Sequence, residues 1–197
     1  MENKTRNLVL VALFASLTAI GAYIEIPTQP VPITLQILFS MYAGVLLGGR
    51  LGFLSQIGYI LMGLVGLPVF AGGVGGFHYI LSPTFGYLIG FALCSYGIGK
   101  FTENIVEIKG IKGFIKILLV NLTGLIIVYS VGVPYLYYII KLYLGKSITI
   151  SGALKTGLYP FIIQDIVKSI FVAITALKVL PAIRRTGYVK IKRRKEI

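Results

Sequence analysis

Long uncharged stretches dominate the chain. They run from Asn7 to Ile24, Ile26 to Gly49, Leu51 to Gly99 and Ile117 to Ile140, and a fifth, Leu158 to Leu177, is interrupted only by Asp165 and Lys168. A membrane-crossing helix needs roughly 20 apolar residues, and the third run is long enough for two, so the pattern predicts six spans. Pro27, Pro30 and Pro32 break the chain between the first two spans, and the glycine-rich stretch from Gly66 to Gly76 divides the longest run. Helices are expected near 6–25, 33–49, 52–66, 79–99, 113–142 and 157–180, with Pro83 and Pro134 as points of tilt or interruption. Lys4 and Arg6 before the first run resemble a signal peptide. No clear small-x-small cleavage site precedes Glu25 and further spans follow, so the first helix is read as retained. The predicted fold class is all-α: one integral membrane domain of six transmembrane helices over residues 1–197, with a basic tail from about residue 181.

Composition agrees with the pattern. Hydrophobic residues make up 56% of the chain, charged residues 13%, and the mean hydropathy is +0.89, which excludes an ordinary soluble domain. The net charge of +13 raises the possibility of nucleic acid as a partner. The placement of that charge argues against it. Lys4, Arg6, Arg50, Lys100, Lys109, Lys112, Lys116 and the cluster from Lys178 to Lys195 all fall on one side of a six-span topology. The other side receives only Lys141, Lys146 and Lys155, and the loops at 26–32 and 67–78 have no Lys or Arg. The positive-inside rule then puts both termini in the cytoplasm of a prokaryotic cell, with the protein in the plasma membrane. The tail reads as a topology determinant and a contact for lipid headgroups. Cys94 is the single cysteine, so no intramolecular disulfide framework exists.

Asp165 and Lys168 are the most informative residues. Charge within a membrane-length segment costs at least about 2.5 kcal/mol per residue, so such groups face a partner or a polar cavity. Their i, i+3 spacing puts both on one helix face, where they either form a structural ion pair or converge on a polar ligand. Other chemistry is scarce. His78 is the sole histidine and Asp165 the sole aspartate, which leaves no histidine-rich metal site and no aspartate-rich two-metal centre within one chain, and no cofactor is expected. Neither glycine-rich segment is a phosphate loop: 66–76 lacks the Gly-Lys-Ser/Thr ending, and Gly145-Lys146-Ser147 has Ile140 where the first glycine belongs. The 66–76 stretch is instead expected to be an irregular loop whose backbone polar groups point into a cavity. Gln36, Gln56, Asn121 and Gln164 are candidates for interhelical hydrogen bonds or ligand contacts. Ala12, Ala15, Ser16, Ala19 and Ala22 give the first helix a small-residue face for close docking, within the chain or to a partner; Gly44 and Gly48, and Gly86 and Gly90, repeat the spacing for contacts inside the chain.

Three segments carry a resemblance: Pro30-Val31-Pro32-Ile33-Thr34-Leu35-Gln36, the run from Ala43 to Gly52, and Gly66-Leu67-Pro68-Val69-Phe70-Ala71-Gly72-Gly73. With Ser82 to Leu88 and the Asp165-x-x-Lys168 helix in matching order, nearly the whole chain resembles the BioY family, the biotin-binding S components of energy-coupling factor transporters. It departs from the family's usual pattern at Ser82 to Tyr87, where Gly-Pro-Thr-Gly-Gly-Tyr is commoner, and at Gln164, where Gly is commoner. The resemblance implies a non-enzymatic capture subunit that takes biotin from outside and works with a transmembrane scaffold subunit and a pair of cytosolic ATPases. It implies a pocket near the outer face, roofed by the first and third loops. Asp165 and Lys168 are then first candidates for biotin, Lys168 serving either the ligand's carboxylate or Asp165 itself. Thr34, Gln36, Gly72, Gly73, His78, Tyr79 and Tyr87 follow. Ala12, Ala15 and Ala19 become the scaffold-docking face. An S component for another vitamin, a small membrane enzyme and an assembly scaffold are the competing classes; the last leaves the charged pair without a use.

Overall fold

The computed structural model describes residues 4–106 and 108–185, without the side chain of Arg185. Six longer helices lie close to the expected positions: α1 (Lys4–Tyr23), α2 (Gln36–Leu47), α3 (Gly49–Leu64), α4 (Phe85–Glu103), α5 (Gly110–Tyr138) and α7 (Tyr159–Arg185). By length and composition, three stretches of the described chain are long and apolar enough to cross a membrane alone: Lys4–Tyr23, Gly110–Tyr143 and Tyr159–Arg184. Most of the basic tail, from 186 onward, lies outside the described residues.

The departures from expectation have local causes. Residues 33–35 do not open α2. Ile33–Thr34 (β2) pairs antiparallel with Glu25–Ile26 (β1), with Glu25 opposite Thr34, and Leu35 N–H returns to Gly21 O at 3.0 Å. Glu25 to Thr34 is therefore a proline-rich hairpin, and the chain is not purely α. The fourth helix starts six residues late because Pro83 bars an α-helix through it; Phe77–Leu81 forms a 3-10 turn instead. Pro134 sits inside α5 without ending it, and the helix loosens into a π-helical turn at Ile139–Tyr143. A short helix, α6 (Ile150–Gly157), occupies a stretch expected to be loop; Thr149 caps it by accepting from Gly152 N–H at 3.0 Å.

Close helix approach depends on glycines. Gly48, at a φ of 81° where only glycine is comfortable, turns the chain between α2 and α3, and this corner presses on Gly99 of α4. Gly90 meets the backbone of Val128 on α5, where an added Cβ would stand 3.0 Å from Val128 Cα. These are the short approaches that small-xxx-small spacing permits.

Hydrogen bonds also gather two chain turns and the end of α7 at one end. Glu103 accepts from Gly49 N–H at 2.9 Å and from Lys100 Nζ at 3.3 Å, capping α3. Arg184 donates to Thr102 O at 2.7 Å and Ile105 O at 2.6 Å, closing the end of α4 with α7. The β1–β2 hairpin puts the C-terminus of α1 at the opposite end, so Lys4 and Arg6 share the basic end with Arg50, Lys100 and Arg184.

Gly99→Val is expected to destabilise the protein, because its methyls would meet backbone atoms of Gly48 and Gly49 rather than a yielding side chain. Overpacking of this kind costs about 1–3 kcal/mol, read as a lower thermal midpoint in detergent.

Candidate functional site

The inward face of α7 is read off its burial. Phe161, Asp165, Ser169, Val172, Ala173, Ala176 and Leu180 are buried at helical spacing, so the aspartate occupies a position that apolar packing has already turned inward. Lys168, one turn on, sits at the edge of the same face. The pair is real: Lys168 Nζ lies 2.8 Å from Asp165 Oδ1, and the two side chains are 11% and 7% exposed.

Neither group depends on the other alone. The second oxygen of Asp165, Oδ2, accepts from the Tyr129 hydroxyl of α5 at 2.5 Å, and Lys168 Nζ also donates to the backbone oxygen of Thr34 in β2 at 2.8 Å. Ser169 returns its hydroxyl to Asp165 O at 2.7 Å. Three separate parts of the chain thus meet at one ion pair. A carboxylate offers about four lone-pair sites and an ammonium three N–H donors. The observed bonds leave one ammonium N–H and further carboxylate acceptor capacity for a ligand.

A cleft opens beside the pair. Its walls include Pro32, Thr34 and Gln36 from the hairpin and α2, Ala71 from the α3–α4 loop, Tyr79, Thr84, Tyr87 and Phe91 around the start of α4, and Val128, Tyr129 and Phe161. Polar side chains on the rim hold one another. Thr34 Oγ1 donates to Gln36 Oε1 at 2.9 Å, Gln36 Nε2 to Tyr59 Oη at 2.6 Å, Tyr59 Oη to Val69 O at 3.0 Å, and Thr84 Oγ1 to Tyr79 Oη at 2.8 Å. The cleft is narrow, with a volume of about 40 Å³.

Of the residues singled out from sequence, Asp165, Lys168, Thr34, Gln36, Tyr79 and Tyr87 line this cleft. Gly72, Gly73 and His78 do not; all three are exposed. Gly72 and Gly73 adopt φ of 80° and 66° at the tip of a turn, a conformation that favours glycine. The loop's backbone groups bond mainly to the chain itself, as in Phe70 N–H to Val74 O at 3.0 Å and Gly76 N–H to Gly63 O at 2.7 Å, rather than pointing into a cavity. Its contribution is apolar. Phe70 is fully buried, stacked on Tyr79 with centroids 4.3 Å apart and edge-on to Tyr59 at 5.6 Å, and this anchor sets Ala71 against the cleft.

The small-residue face of α1 is split: Ala15, Ala19 and Ala22 turn inward, while Ala12 and Ser16 are exposed. Ala15 and Ala19 lie on the side where Thr18 meets Gln56 Nε2 of α3 at 3.1 Å. Gln56 and Asn121 are interhelical bonds, the latter donating to Ser169 O at 3.1 Å, while Gln164 bonds back to its own helix at Pro160 O.

Sequence reasoning missed Tyr129, Thr84, Phe91 and Phe161. A signal existed for the first: a tyrosine in the middle of a span is out of place, since membrane tyrosines gather at the interfaces. The phenylalanines are indistinguishable in sequence from any core position.

A model of the BioY family matches residues 1–185. The chain belongs to the BioY family. Among BioY relatives, a probable biotin transporter BioY of Lysinibacillus sphaericus is 46% identical over 190 residues, covering 96% of this chain and 94% of its own. The biotin transporter BioY of Thermotoga maritima is 35% identical over 173 residues, covering 88% and 95% respectively. A crystal structure of the S-component for biotin from an ECF-type ABC transporter superposes with a TM-score of 0.78 at 30% identity, over 92% of this chain and 95% of that one. The fold of the chain is therefore that of an S component, and BioY membership makes it a membrane transport protein.

Lys168→Met leaves Asp165 as a buried charge without its counter-ion, a change that costs about 3–5 kcal/mol. The thermal midpoint in detergent is expected to fall accordingly, and Asp165→Asn added to it is expected to recover most of the loss.

Proposed function

We propose that this chain is the biotin-capture subunit of an energy-coupling factor transporter. The observation that carries the reading is the Asp165–Lys168 pair, held at 2.8 Å on the wall of an otherwise largely apolar cleft in a BioY chain. Biotin presents a ureido ring with two N–H donors and one acceptor, an apolar thioether ring and a carboxylate tail. Asp165 accepts from the ureido ring, Lys168 beside it balances the charge of that carboxylate, and Phe91, Phe161 and Val128 take the thioether ring. Thr34, Gln36, Tyr79 and Tyr87 complete the contacts from the rim. Gly72, Gly73 and His78 act from the roof by shaping its turn.

A cleft of about 40 Å³ is well below the roughly 300–1,000 Å³ of a ligand pocket. Biotin therefore enters only as the hairpin and the Phe70–Ala71 segment move outward, with the Lys168 bond to Thr34 O as the contact that reforms or yields. The subunit runs no reaction of its own. Six helices cross the plasma membrane with both termini cytoplasmic, as the gathering of basic residues at one end supports. A transmembrane scaffold subunit and two cytosolic ATPases complete the transporter. Ala12 is the accessible part of the α1 docking face, and Ala15 and Ala19 act there by keeping α1 tight against α3.

Titration calorimetry of the purified chain is expected to show one biotin per chain without ATP or metal. In Asp165→Asn with Lys168→Met, thermal unfolding is expected to stay near wild type while biotin affinity falls tenfold to a hundredfold or more, as the loss of a hydrogen bond to a charged group requires. Near wild-type affinity in that folded double variant, or heat only with a different vitamin, would overturn the assignment.

A further inference from the structure

A second cavity, far larger than the cleft, lies between α5, α6 and α7, with a volume of about 730 Å³. It is a groove rather than a chamber. On α5 its lining runs from Leu122 to Tyr138 along two adjacent rows, a length of about 24 Å at 1.5 Å per residue. The opposite wall comes from α6 and from the outward side of α7, where Ile162 and Ile166 stand exposed. Its lining is almost wholly apolar, and it lacks the charged pair that defines the cleft, so it does not suit a ureido acid. Tyr129 is the wall that the two cavities share.

One end of the groove is cationic. Lys141 continues the α5 lining one turn beyond Tyr137 and Tyr138, with its Nζ bonded to Tyr137 Oη at 2.8 Å and 5.2 Å from the ring centroid. No Asp or Glu occurs in the sequence from Ile108 to Gln164 to balance it. An apolar channel about 24 Å long, ending in an unbalanced lysine, matches an acyl chain joined to an anionic headgroup. A second copy of the chain matches it poorly, because a two-fold contact over this face would bring the two copies of Lys141 together.

We propose that this groove is a binding site for an anionic membrane phospholipid, whose acyl chain lies along α5 against α6 and α7 and whose headgroup meets Lys141. The inference does not depend on which vitamin the cleft takes.

The test is native mass spectrometry of the full chain in detergent, offered equal phosphatidylglycerol and phosphatidylcholine with the same acyl chains. The wild type is expected to retain phosphatidylglycerol at least fivefold over phosphatidylcholine. Ser130→Trp and, separately, Ile126→Trp fill the groove from exposed positions and are each expected to cut retained phosphatidylglycerol at least fivefold. Lys141→Gln is expected to remove the preference between the two lipids. Leu119→Trp, exposed on α5 outside the groove, is the control and is expected to match the wild type. Thermal midpoints near wild type confirm folded variants, and the two tryptophan positions serve as independent checks. Undiminished phosphatidylglycerol in either folded groove variant, equal retention of both lipids by the wild type, or a dimer that the groove variants dissolve would each overturn the site.

Discussion

Everything near the cleft depends on a buried charge having enough partners. An isolated carboxylate or ammonium at low dielectric carries a desolvation cost of several kcal/mol, and a bare ion pair offsets it only with good geometry and further hydrogen bonds. Here the further bonds come from elsewhere in the chain: Tyr129 from α5 on one oxygen of Asp165, and the Thr34 backbone oxygen on Lys168. The cost of placing charge in α7 is thereby converted into a constraint on α5 and on the hairpin. These segments come together at the pair, and the cleft is what their meeting leaves open.

That arrangement has a mechanical corollary. The Lys168 bond to Thr34 O reaches a short two-residue ladder, not a packed helix, so the part of the network facing the cleft mouth is also its least anchored part. The other flap, Phe70–Ala71, is held by aromatic packing between Tyr59 and Tyr79 rather than by charge. Two flaps with different chemistry close one cleft. At the far end, Glu103 and Arg184 fasten the helix ends to each other through backbone groups.

The longest helices were legible in the sequence because hydrocarbon imposes a length on apolar runs, and the shorter α2 and α3 because Pro and Gly break the runs for local steric reasons. The Asp165–Lys168 pair was legible for the same reason: charge in such a run is costly enough to require a use. BioY membership was legible in contiguous motifs such as Pro30 to Gln36. Less local features were not. Pro83 marked a point of interruption but did not reveal that Phe77–Leu81 makes a separate turn, and Thr149 caps a helix in a stretch where none was expected.

What the tertiary structure alone decided is which way side chains face and what lies across from them. Ala15 and Ala19 present the same spacing whether they dock a partner or α3, and only the packing of α1 turns them inward. Gly72 and Gly73 looked like ligand-facing backbone, yet Ala71 lines the cleft because Phe70 anchors the loop one residue earlier. Tyr129 stands 36 residues from Asp165, and no local pattern joins them. Hydropathy and charge act through the solvent, so one residue at a time is enough to read them from the chain. A partnership between distant residues exists only after the chain has folded, and it is the partnerships that make a pocket of the apolar helices.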